Sequence, residues 1–155
     1  MRTEMNFMIE NFNIDDALGH MINRAAIIIR KHFTMKVKEA GYDITPEEFS
    51  ILSRLWEEDR ISQTELVEKT LKDKTRVTRL LSGLIDKSYV KKENDEADRR
   101  NYIVYLTEEG KALKTSIIPI VMKLMKQAAE GIEQEDIDAT KRVLGKVFKN
   151  LNFMK

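Results

Sequence analysis

From Asp73 to about Lys87 the chain reads as a helix with Val77, Leu80, Leu81, Leu84 and Ile85 along one side. The opposite side carries Lys74, Thr75, Arg76, Thr78, Arg79 and Ser82. Threonine is a weak helix former, so this face is a poor choice for a surface that need only be solvated. Short hydroxyl side chains let a helix approach a groove floor, and an arginine fork matches guanine O6 and N7. The chemistry these residue types point to is the reading of base edges in a DNA major groove. The plainer alternative is a charged helix surface with no ligand. Upstream, Ser62 and Gln63 open a short helix, where hydroxyl, amide and unpaired backbone N–H groups suit a phosphate oxygen. Helix capping accounts for Ser62 equally well. Lys72, Lys87, Lys91 and Lys92 have the reach to contact phosphates, which would position the protein without specifying sequence.

The formal net charge of the 155 residues is only +1, which decides nothing by itself. Its distribution is more informative. Seven basic residues stand against two acidic ones between Lys72 and Lys92, and the remainder of the chain is therefore net acidic. Such a segment suits a polyanion or is simply a solvated face. Just beyond it lies Asp95-Glu96-Ala97-Asp98-Arg99-Arg100. Its carboxylates would repel DNA unless paired internally, and Asp98 is close enough to Arg100 to hold that side chain in one orientation. Arginine is the side chain expected in a narrow, electronegative minor groove. The competing reading is a charged loop that keeps a hairpin soluble.

Several elements must position these groups. The segment Ile14–Ala40, capped by Asp15 or Asp16 and ended by Gly41, predicts a helix about 40 Å long, more than so small a domain can cover. Thr45-Pro46-Glu47-Glu48 is a capping box opening a second helix, with Phe49, Leu52, Leu55 and Trp56 as its buried stripe. Ser62-Gln63-Thr64-Glu65 is another capping box, and the short helix it opens is separated by Thr70–Asp73 from the helix described first, a helix-turn-helix pattern. The apolar period then changes to two. Residues 89–93 and 102–106 read as strands joined by the long loop Asn94–Asn101, a wing. Thr107 caps a further helix that Pro119 should kink, and after Gly131 one last amphipathic helix runs to Leu151. The expected fold is mainly α with a small β-hairpin. It is a single domain over 13–151, with a winged helix-turn-helix core at 45–107. Apolar helices at 14–41 and 108–151 form a dimerisation region, because their surplus apolar surface asks for mutual burial.

Other classes of function find little support. There is no cysteine, so disulfides, thiolate catalysis and thiol redox sensing are excluded. The longest apolar run, near Ile117–Met122, is too short for a membrane span, and the N-terminus lacks a signal-peptide core; a cytoplasmic protein is expected. No glycine-rich phosphate loop or catalytic constellation is present, so no enzyme, cofactor or metal is expected. His20 and His32 lie twelve positions apart on one helix, too far to share a metal.

The run Asp98-Arg99-Arg100, five residues, then Leu106-Thr107-Glu108-Glu109-Gly110, together with Lys74–Leu81, resembles the MarR-type winged-helix transcriptional regulators. The resemblance extends in element order from about Ile14 to Leu151. It implies a triangular homodimer with the first and last two helices interleaved. It also implies that Thr75, Arg76, Thr78 and Arg79 face the major groove, and that Arg100, oriented by Asp98, enters the minor groove with Arg99 beside it. A small aromatic or amphipathic effector is implied too, bound near His20, Met21 and Arg24 of the first helix and Phe49 and Trp56 of the second, although a Phe and a Trp at helical spacing are also ordinary core. The expected function is that of a sequence-specific regulator of double-stranded DNA, a ligand-responsive repressor on a pseudo-palindromic operator. The other reading is a winged helix that binds proteins and has no DNA target.

Overall fold

A computed structural model describes residues 1–154, the Arg2 side chain excepted. The chain divides into two compact units, Met1–Ile120 and Val121–Lys155. In order the elements are α1 (Arg2–Glu10), a 3-10 turn (Ile14–Asp16), α2 (Leu18–Glu39), α3 (Pro46–Glu57), β1 (Ile61–Ser62), α4 (Gln63–Thr70), α5 (Lys74–Asp86), β2 (Val90–Asn94), β3 (Tyr102–Leu106), α6 (Glu108–Ala128) and α7 (Gln134–Asn152). Helices α4 and α5 with the β2–β3 hairpin make a winged helix-turn-helix.

The expected first helix begins later than its pattern suggested. Asn13, not Asp15 or Asp16, caps a short 3-10 turn by accepting the Asp15 N–H at 3.0 Å, and α2 starts after Ala17 with no side-chain cap. Gly41, at φ 89°, ends the helix as expected. Helix α1 lies before the expected domain start and escaped the sequence reading, its apolar residues being scattered among charges. At α3 the capping box forms in full: Thr45 Oγ1 accepts the Glu48 N–H and Glu48 accepts the Thr45 N–H, both at 3.1 Å. At α4 only half of the expected box exists. Ser62 accepts the Glu65 N–H at 3.1 Å, while the Glu65 carboxylate turns to Lys69 at 3.0 Å. Helix α4 ends on Leu71, a non-glycine residue at φ 57°.

The wing hairpin is wider than expected. Besides β2 pairing with β3 (Val90 opposite Leu106, Asn94 opposite Tyr102), the two-residue β1 joins the other edge of β3, with Ile61 opposite Val104. Two residues are too few for a period-two signal. The core of the first unit is built from Phe33 and Val37 of α2, Ile51, Leu52 and Leu55 of α3, Leu66 of α4, Val77, Leu81 and Leu84 of α5, Val104 of β3, and Leu113 and Ile117 of α6. Burying each of these side chains contributes about 1.5–3 kcal/mol. Ile51 is fully buried, whereas the expected Phe49 and Trp56 are half-buried at the edge of the stripe.

Helix α6 is set against the hairpin by main-chain contacts. Thr107 caps it, its Oγ1 accepting the Gly110 N–H at 2.9 Å, while its own N–H donates to the Tyr89 carbonyl. Trp56 Nε1 donates to the Gly110 carbonyl at 2.9 Å. The helix continues through Pro119. In the second unit α7 buries none of its residues and exposes Val143, Leu144, Phe148 and Leu151. Among the described residues no helix is long and apolar enough to cross a membrane.

A Cβ on Gly110 would stand 2.0 Å from the Tyr89 carbonyl oxygen, a main-chain atom that cannot rotate away. Gly110→Ala is therefore expected to lower stability by about 1–3 kcal/mol, the cost of overpacking, seen as a lower urea midpoint at unchanged m-value.

Candidate DNA interface

Helix α5 turns Val77, Leu81 and Leu84 into the core and leaves Lys74, Thr75, Arg76, Thr78, Arg79 and Ser82 exposed. Asp73 caps it by accepting the Arg76 N–H at 2.8 Å. Two expected contact residues are engaged in joining the helices of the motif. Gln63, only 6% exposed, donates through Nε2 to the Thr78 hydroxyl at 2.9 Å, and that hydroxyl donates to the Lys74 carbonyl at 2.9 Å. The Gln63 Oε1 atom is buried without a partner. Ser62 is occupied as the α4 cap.

The wing spends its carboxylates on its own main chain. Asp95 Oδ1 accepts the Ala97 N–H at 2.9 Å, and Asp98 Oδ1 accepts the Arg100 N–H at 3.1 Å. The spacing had suggested a hold on the Arg100 side chain; the bond that Asp98 makes is to the Arg100 main chain. Arg99 and Arg100 are left exposed. Asn101, overlooked in the sequence, accepts the Thr64 hydroxyl at 3.3 Å and the Tyr102 N–H at 2.9 Å, tying the base of the wing to α4. Lys92 lies 4.5 Å above the Tyr102 ring. The result is a cleft of ≈ 410 Å³ whose walls include Gln63 and Thr64 of α4, Lys74 and Thr78 of α5, and Lys92 and Arg100 of the wing. Lys91, its side chain on the other face of β2, lines a different hollow with Tyr105 and Ile85.

Beside the cleft, Thr75, Arg76 and Arg79 border a shallow depression of ≈ 270 Å³. Here Arg76 is paired with Glu47 of α3: Nε donates to Oε2 at 2.9 Å and Nη2 to Oε1. That bidentate bond, with the charges of Arg76, Lys72 and Arg79, holds the Glu47 carboxyl below its usual value near 4.5 against the opposing effect of burial. Glu47 reads in the sequence as an ordinary acid in the first turn of a capped helix, so nothing marked it.

Lys87, expected to have the reach for a phosphate, is engaged inside the protein. Its Nζ donates to Glu48 Oε1 and Oε2 at 2.9 and 3.0 Å and to the Asp43 carbonyl at 2.8 Å, because Glu48, 4% exposed, needs a counter-ion there. Nor do the five expected effector residues form one group. Phe49 packs against Phe33 and Trp56, with centroids 5.1 and 6.1 Å away. His20 and Arg24 instead face Asp15 at 3.6 and 3.4 Å. His20 lies thirteen positions before Phe33 on α2, about 20 Å along the axis, and Met21 is beside it, exposed.

Two outcomes follow from these pairings. Lys87→Ala should lower stability by about 1–3 kcal/mol, leaving Glu48 short of its cation, without changing the salt slope of DNA binding; a phosphate contact would instead reduce that slope by about one. Glu47 has a lowered pKa, so its share of stability is fully present above pH 4.5 and is lost as pH falls through the lower folded value. The advantage of the wild type over Glu47→Gln, at most about 1 kcal/mol for so exposed a pair, should accordingly vanish in acid denaturation profiles.

The family model for the transcriptional regulator SarA/Rot matches residues 33–117, from the second half of α2 into α6. The HTH-type transcriptional regulator SarZ of Staphylococcus aureus (strain USA300) is 28% identical over 145 residues, covering 94% of this chain and 96% of that protein. Among solved structures, a MarR transcriptional regulator from Methanosarcina mazei Go1 matches with TM-score 0.75 and 29% identity, over 86% of this chain and 99% of that one. The transcriptional repressor CouR bound to a 23-mer DNA duplex matches with TM-score 0.79 at 22% identity, over 86% and 94% of the two chains. CouR from Rhodococcus jostii RHA1 bound to p-coumaroyl-CoA matches with TM-score 0.76 at 18% identity, over 87% and 94%. At those identities CouR is a likeness of fold. With its helix-turn-helix, its three-stranded wing and the matched segment covering more than half its length, the chain belongs to the SarA/Rot family of winged-helix, MarR-like transcriptional regulators.

Proposed function

We propose that the protein binds a pseudo-palindromic double-stranded operator as a homodimer in the cytoplasm, with α5 in the major groove and Arg100 of the wing in the adjacent minor groove. The observation that carries this reading is the cleft itself, which brings the N-terminus of α4, the polar face of α5 and the wing arginine onto one surface. Within that surface the roles differ. Lys74, Thr75, Arg79 and Ser82 are exposed and point no side-chain bond inward, which suits base edges and phosphates. Gln63 and Thr78 act mainly as the brace beneath them, and Lys72, Lys92 and Arg99 supply charge.

Dimerisation is supported by apolar side chains that would otherwise meet water. Helix α2 exposes Leu18, Met21, Ile27 and Ile28, α1 exposes Met5, Phe7, Met8 and Ile9, and α7 exposes Val143, Phe148 and Leu151. Residues 45–107 are the DNA-binding core in this reading, and 14–41 and 108–151 are the dimerisation helices. Repression released by a small aromatic or amphipathic effector is part of the proposal; the support is the fold shared with CouR, whose complexes include both a DNA duplex and p-coumaroyl-CoA.

The test is fluorescence anisotropy with labelled duplexes from the DNA flanking the protein's own coding sequence, titrated at several salt concentrations. Binding should weaken by about 10³–10⁵ between 50 and 200 mM salt if 6–10 phosphates are contacted. Arg100→Ala should cost about 1–3 kcal/mol. Binding that is absent, or indifferent to salt, overturns the reading.

A further inference from the structure

Glu47 stands on α3, outside the helix-turn-helix, yet its carboxylate grips the first arginine of α5. The geometry of that grip is specific. Arg76 uses Nε and Nη2, the two nitrogens of one side of its guanidinium, against the two Glu47 oxygens. An arginine carries five N–H donors in a rigid plane. A side-on pair of this kind leaves the end of the fork, both Nη1 hydrogens and the outer one of Nη2, directed away from the carboxylate. That end is the edge that matches guanine O6 and N7. Glu47 does not depend on Arg76 alone for its place: it sits in the first turn of α3, where the helix dipole favours an anion, and Lys72 and Arg79 add their charges. Both side chains of the pair are substantially exposed, 47% and 33%, and surface ion pairs contribute little to folding.

We infer that Glu47 is a positioning residue for sequence recognition, clamping Arg76 side-on so that its outer edge reads a guanine in each half-site. The inference rests on the DNA-binding reading of α5. Two physical effects make the carboxylate useful there. Fixing the arginine beforehand removes rotamer entropy that binding would otherwise have to overcome. A carboxylate beside the groove also weakens attachment to phosphates at wrong sites, which raises discrimination even where it lowers affinity.

The experiment uses the full chain as wild type, Glu47→Gln, Glu47→Ala, Arg76→Ala and the double variant Glu47→Gln with Arg76→Ala. Duplexes are selected by the wild type from a library with a randomised centre, and the guanine whose preference disappears in Arg76→Ala is identified. At that position Glu47→Gln and Glu47→Ala should reduce the guanine-over-adenine preference by about tenfold, within the range of one bidentate contact. Affinity for unselected duplexes should stay level or rise. In the Arg76→Ala background Glu47→Gln should have no effect on the preference, since the two residues act as one unit. Circular dichroism and thermal melting establish that each variant is folded. An unchanged preference overturns the inference, as does a guanine preference that rises in Glu47→Gln, which would make Glu47 a clasp that withholds Arg76. If the wild type selects no sequence, the DNA-binding reading falls together with this one. If it selects sequences and the Glu47 substitutions are silent, only the positioning role is lost.

Discussion

The buried carboxylate of Glu48 is the point on which two helices must agree. A carboxylate removed from water is costly unless its oxygens are bonded and its charge is matched. Glu48 meets both demands by closing the α3 capping box through the Thr45 N–H and by receiving the Lys87 ammonium on both oxygens. Lys87 is the residue immediately after α5, and it also holds the Asp43 carbonyl ahead of α3. The start of α3 is thereby locked to the end of α5. With its C-terminal end fixed and its apolar side packed on α3, α5 has one direction left for Lys74, Thr75 and Arg79.

Electrostatics on the proposed DNA face follow a second economy. The face carries many acids for a surface meant to meet phosphates, but most of them are assigned. Asp73 caps α5, Asp95 and Asp98 fold the wing by accepting main-chain N–H groups, and Glu93 pairs with Arg60. Backbone amides and local cations absorb the negative charge, and the arginines of the wing tip keep theirs for solvent or ligand. Glu47 differs in bonding the guanidinium of a base-reading candidate rather than a main-chain N–H, which is why its geometry carries more meaning than its charge.

The wing strands are seated on the helix-turn-helix by buried Val90 and Val104, and small polar contacts add direction at the cleft. Thr64 of α4 reaches Asn101 of the wing, and within the motif Gln63 of α4 reaches Thr78 of α5, each by one hydrogen bond. Such bonds contribute about 1 kcal/mol each, so they set direction at the rim of the cleft while the buried strand residues supply the packing beneath it. Behind the cleft, the start of α6 is held by main-chain contacts, Trp56 bonding the Gly110 carbonyl and the Tyr89 main chain lying against Gly110.

The amino-acid sequence by itself determined the order of the elements from α2 to α7, β1 excepted, with the identity of the polar helix face and the wing, because period, caps and turn residues act within a few positions along the chain. Thr45–Glu48, Asp73 and Thr107 cap their helices as their spacing required, and residues 102–106 form the strand that their alternation required. What only the tertiary structure decided was the use of each side chain within those elements. Lys87 looks like any basic residue until a buried Glu48, 39 positions away, claims it. Arg76 looks available until Glu47, 29 positions away, occupies one edge of it. Thr78 looks like part of a reading face until Gln63 bonds to it, and β1 is invisible until β3 lies alongside. Charge and hydrogen-bonding capacity are local properties of a residue. Their partners are set by distance in space, which no spacing along the chain encodes.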